Sequence, residues 1–117
     1  MSPLGATVYD ILRARGALLE PRITYAELAA RVRKASRKFA HVTHRSRQLY
    51  VALGDVGAEC RRLGLPSLPA LVVRADTRRP GAAYFEGKCS GRVYPGEEIA
   101  AWWREIEAIR SATYPAR

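Results

Sequence analysis

The feature that most restricts this chain is an apolar stripe advancing by 4, 3, 4 and 3 residues: Leu49, Leu53, Val56, Cys60 and Leu63. Side chains three and four apart share one face of an α-helix, whereas a strand would need an advance of two. A four-turn helix from Ser46 is therefore predicted, with Gly64 and Pro66 ending it. Gly54 and Gly57 lie inside it, each lowering helix propensity by about 1 kcal/mol against alanine, which points to close packing by another helix.

The remaining elements arrange themselves around that helix. Leu4, Val8, Ile11 and Leu12 have helical spacing and predict a helix over 4–15, ending at Gly16. Thr24 and Glu27 match a capping box, in which each residue bonds the other's backbone amide. A short helix over roughly 25–34 follows, with Leu28 and Val32 on its inner face. Residues 35–46 have no period and are basic and polar, so a loop is expected. Pro69 to Arg74 reads as a short buried strand and 76–81 as a turn. Ala82-Ala83-Tyr84-Phe85 is expected to return as the second strand of a hairpin. Residues 86–96, with three glycines and Pro95, form a loop. The last helix is expected to start near Glu97 and Glu98, with Ile99, Trp102, Trp103, Ile106 and Ile109 on its apolar face. Three helices, a two-stranded hairpin and a C-terminal helix make a mainly helical α+β fold of the winged helix-turn-helix plan, one domain over 1–117.

Composition fits a packed chain: 48% hydrophobic and 26% charged residues exclude a disordered polyelectrolyte. The net charge of +9 is the unusual quantity, and it bears on partners rather than on fold. Between Glu27 and Asp55 no acidic residue occurs, while Arg31, Arg33, Lys34, Arg37, Lys38, Arg45 and Arg47 stand there with His41 and His44. That segment covers the end of the second helix, the turn and the start of the third, the parts a helix-turn-helix protein presents to DNA. Arg78 and Arg79 would add phosphate contacts from the hairpin tip. Gln48, near the start of the third helix, is placed to pair with adenine in the major groove. Duplex DNA is the expected partner, with RNA left open.

No window approaches the roughly 18 apolar residues of a membrane span, and Met1 to Arg15 carries no long apolar run or signal-peptide cleavage pattern. A cytoplasmic location with reduced thiols is the resulting expectation. Cys60, on the apolar stripe, reads as a core residue. Cys89, between Gly87-Lys88 and Ser90-Gly91, is the better thiol candidate, but a nucleophile needs an oriented base and neither histidine is placed beside it. His41 and His44 lack a third metal ligand, and Glu97, Glu98, Glu105 and Glu107 are spread over a helix surface rather than paired as acid and base. No cofactor, metal or catalytic residue is expected. Trp102 and Trp103 are adjacent and cannot both enter one core; the N-terminal helix is expected to cover Trp103 in part. The alternative reading is a protein-interaction adaptor or homodimer using these tryptophans.

Ile23-Thr24-Tyr25-Ala26-Glu27-Leu28-Ala29, a following helix, and Leu65-Pro66-Ser67-Leu68-Pro69-Ala70-Leu71-Val72-Val73 resemble the DNA-binding domain of alkylguanine-DNA alkyltransferases and alkyltransferase-like proteins. The resemblance covers roughly residues 8–76. It implies a DNA-binding scaffold in which Tyr25 takes the place of a tyrosine that helps turn a nucleotide out of the duplex. The family's reactive Pro-Cys-His-Arg is absent, Ala70 following Pro69, and Val51 falls near the position of the arginine that fills the vacated stack. Alkyl transfer is therefore not expected; what the resemblance implies is the scaffold.

Overall fold

The computed structural model describes residues 1–85 and 98–117. Helix α1 is Pro3–Arg15, α2 Tyr25–Ala35, α3 Arg47–Leu63, α4 Ala82–Phe85 and α5 Glu98–Ser111. Strands β1, Ile23–Thr24, and β2, Val72–Val73, pair in parallel, Ile23 opposite Val72 and Thr24 opposite Val73. The architecture is α+β and mostly helical.

The apolar stripe of α3 enters the core as its spacing requires: Leu49, Leu53, Val56 and Cys60 are buried in one cluster with Val8, Tyr9 and Leu12 of α1 and Leu28 and Val32 of α2, and α3 packs chiefly on α1. Gly64 ends α3 in the left-handed region, at φ 69°, with its N–H directed to the carbonyls of Arg61 and Cys60. Of the two glycines inside α3, Gly57 is buried and Gly54 is not, and a close helix approach is found at Gly5 of α1. A Cβ on Gly54 would meet nothing within 4 Å, whereas one on Gly5 of α1 would lie 3.3 Å from Asp55 Cβ of α3.

Helix α2 begins where the sequence predicts. Thr24 Oγ1 accepts from Glu27 N at 3.1 Å, and Glu27 Oε1 accepts from Thr24 N at 3.2 Å. Hydrogen bonding by Thr24 also holds the Glu27 carboxyl below the usual range. Thr24→Ala removes one of the two cap bonds and is expected to cost about 1 kcal/mol, seen as a lower urea midpoint at unchanged slope.

The hairpin expected from 69–74 and 82–85 does not form. Leu68–Leu71 is a 3₁₀ turn, in which Ala70 N donates to Ser67 O and Val72 N to Pro69 O, so only Val72 and Val73 remain extended. Residues 82–85 make the single helical turn α4. The backbone there bonds locally instead, Tyr84 N donating to Gly81 O at 3.2 Å, while the Gly81 N–H just before it is directed to the Tyr25 hydroxyl at 3.4 Å. The turn at 74–79 does close on itself, Arg74 N donating to Arg79 O at 2.8 Å, with Arg78 at φ 57°. β2 instead finds its partner in β1, at the entry to α2. Within the expected loop at 35–46, Arg37–Phe39 forms a 3₁₀ turn.

Helix α5 seats Trp102, Ile106 and Ile109 in the core, and Trp102 Nε1 donates to Ala70 O at 2.8 Å. The tail after α5 returns to α1, where Tyr9 Oη donates to Pro115 O at 2.7 Å. The expected loop at 86–96, with Lys88 and Cys89, and the helix start at Glu97 lie outside the described residues.

Candidate nucleic-acid interface

The loop between α2 and α3 projects basic side chains because its few apolar residues face inward. Val42 is fully buried and Phe39 partly so, while Arg37, Lys38, His41, His44 and Arg45 are exposed. The loop is held by short-range bonds: Lys38 N to Ser36 Oγ, Thr43 N to Ser46 Oγ, and Arg45 N to Thr43 Oγ1. It leads into the first turns of α3, where Arg47, Gln48, Tyr50 and Val51 lie outside the core stripe and are exposed.

Lys38, His41, Arg47 and Gln48 line one groove, closed on its other side by the start of α1. Gln48 Oε1 is 3.2 Å from His41 Nε2, so the histidine carries its proton on that nitrogen when the amide oxygen accepts. On the opposite flank of α3, the rings of Tyr25 and Tyr50 meet at 5.5 Å between centroids, and Tyr50 Oη donates to His44 O. The hydroxyl of Tyr25 reaches Gly81, so α2, α3 and the 74–81 turn are joined at this aromatic pair. Arg74 lies close enough for both tyrosines to affect its charge, although its main partner is Asp76 at 2.9 Å.

The eleven residues singled out from the sequence do not all meet. Lys38, Arg47 and Gln48 share the groove, with Arg37 and Arg45 on the same loop. Arg33 bonds Val42 O at 2.7 Å and thereby fixes the loop's path. Arg31 and Lys34 lie on the other flank of α2, lining a separate groove with Ile11, Arg15 and Leu18. Arg78 is directed to Glu20, 3.8 Å away, and its carbonyl accepts from Arg22. Arg79 is exposed. Among the described residues, no ion pair engages Arg37, Lys38, Arg45, Arg47 or Arg79.

Other basic side chains are structural. Arg15 donates to the carbonyls of Glu20, Pro21 and Arg22, stapling the turn after α1; burial, and then the charge of Arg31, lower its pKa. Arg22 is bound to Glu20 by two nitrogens. Its guanidinium also stands 5.4 Å from the Trp103 ring centre. Trp103 is 45% exposed, with Arg22 over its face and the Trp102 ring 4.7 Å away between centroids.

Sequence reading missed Tyr50. Its signal was its place outside the 49-53-56-60 stripe, one turn after Arg47, which sends a large ring to the surface. Cys60 is buried, and desolvation pushes its thiol above the ordinary value, opposing nucleophilic use. Among the described residues no group of three or more His, Cys, Asp or Glu could hold a metal, and no helix is long and apolar enough to cross a membrane. The chain matches no protein-family model, no curated protein and no solved structure.

Proposed function

We propose that this chain is a non-catalytic nucleic-acid-binding protein that meets duplex DNA with the α2–α3 loop and the first turns of α3. One observation carries the reading: Arg37, Lys38, Arg45 and Arg47 are exposed on one loop and the helix start it feeds, with no acidic residue between Glu27 and Asp55. Among the described residues these four have no ion-pair partner and are available to phosphate, whereas paired cations must first break their ion pairs. Gln48 and Val51 on the first two turns of α3 are the base-edge candidates, an amide suited to adenine and a methyl-bearing side chain suited to the thymine methyl. The scaffold is read as a helix-turn-helix related to the alkyltransferase DNA-binding domain. The 74–79 turn, bearing Arg79, stands in for the tip of a wing that lacks its ladder.

Duplex, single-stranded and RNA probes titrated across a salt series test this. Arg37, Lys38, Arg45, Arg47 and Arg79 would neutralise about five phosphates, giving log affinity against log salt a slope near −4 to −5 on duplex DNA. No duplex binding at micromolar protein in low salt would refute the proposal.

A further inference from the structure

The groove between the start of α1, the 37–41 segment and the first half of α3 has a volume of about 490 Å³ and a two-sided chemistry. Its floor is apolar and fixed: Leu4 and Phe39 pack against the core and Ala52 is buried. Val51 stands beside them with 56% of its surface left to water. Lys38 and Arg47 bring two cations. Gln48, its oxygen 3.2 Å from His41 Nε2, adds the two hydrogens of its amide as neutral donors. The hydroxyl of Ser2 is spent, accepting from Gly5 N at 3.0 Å and donating to Asp55 Oδ2 at 3.2 Å.

A site that offers donors around an apolar floor selects an acceptor that carries its own apolar body. A duplex would satisfy the cations and could meet Val51 with a base edge, but it leaves the floor at Leu4 and Phe39 uncovered. We infer that this groove is a binding site for a small amphipathic anion, a carboxylate or sulfonate on an apolar body, held by Lys38, Arg47 and Gln48. The volume falls within the range of small-molecule sites, roughly 300–1,000 Å³. A regulatory consequence rests on the nucleic-acid reading above: Lys38 and Arg47 serve both ligands, so the anion and the duplex exclude each other.

Three probes separate charge from body: 2-naphthoate, 2-naphthylmethanol and inorganic phosphate, followed by amide shifts in NMR and by calorimetry on the full chain. One-to-one binding of 2-naphthoate at a Kd below about 1 mM is expected, with shifts centred on Lys38, Gln48 and Val51 and at least about tenfold weaker binding of the alcohol. Val51→Trp, which fills the groove from an exposed position, should abolish binding without changing the thermal midpoint. Phosphate should give no saturable shift there. Equal affinity for acid and alcohol, or unaltered binding by Val51→Trp, overturns the site. If 2-naphthoate binds as expected and no duplex does, the site stands and the nucleic-acid reading falls. If both bind and the naphthoate leaves duplex affinity unchanged, the overlap is overturned.

Discussion

Trp102→Ala is expected to lose about 3–5 kcal/mol of stability, a large part of the roughly 5–15 kcal/mol that holds a domain of this size together. Trp102 is 1% exposed and heads the fully buried side chains by volume, so its removal leaves a cavity that the surrounding backbone can close only in part. Its indole N–H also donates to Ala70 O, at the 3₁₀ turn that delivers β2 to β1 and so borders the entry to α2. Trp102→Phe separates the two contributions. The ring is largely kept while a buried carbonyl loses its donor, at about 1–3 kcal/mol. Trp103→Ala, one residue away, gives up an exposed ring under Arg22 and should cost no more than about 1 kcal/mol. Urea unfolding of the three variants should rank them Trp102→Ala, Trp102→Phe, Trp103→Ala in falling order of loss. A Trp103 loss matching that of Trp102→Ala would mean the two rings are not divided between core and surface as described.

The elements legible in the sequence are those whose signals are local or long. Five apolar positions on one stripe cannot be mistaken for a strand, and α3 ends at Gly64 as expected. Thr24 and Glu27 need only each other, and the capping box is present. Val72-Val73 is the contrary case. A short apolar run fits either a strand or a tight turn, and nothing local marks its partner, Ile23-Thr24, as lying some fifty residues back. The expectation that the next apolar group, 82–85, would pair with it followed from sequence proximity. Residues 82–85 instead close a helical turn on their own neighbours, Tyr84 N donating to Gly81 O.

The same division applies to the candidate interface. An acid-free stretch is visible in the sequence, but the direction of each side chain is not. Arg31 and Arg33 are two apart, which on a helix turns them by about 200°. One accordingly faces α1 and the other the loop. Nor does a charge count reveal that Arg15 is engaged by three carbonyls or Arg22 by a carboxylate and an indole. The excess of positive charge is shared between holding the chain together and facing outward, and only the second share is available to a polyanion.

That division makes the sharpest prediction on binding. If Lys38, Arg45 and Arg47 contact phosphate, changing all three to glutamine removes three condensed-counterion exchanges, and the log–log salt slope should become shallower by about 2.7. At about 0.1 M salt this corresponds to a loss of affinity of roughly 500-fold, since each exchange contributes about a factor of eight there. The three side chains are exposed and outside the ion pairs among the described residues, so stability should change little. Arg31→Gln with Lys34→Gln removes two charges of the same sign from the α1 flank of α2. Those sit away from the loop, and the slope should shift by less than about 0.5. Net charge alone would predict comparable effects per charge for the two variants; a bound phosphate backbone on the loop and α3 predicts that only the triple variant changes the slope. Titrations of both variants against one duplex at four salt concentrations decide between them, and equal shifts per charge would reduce the interface to a diffuse field.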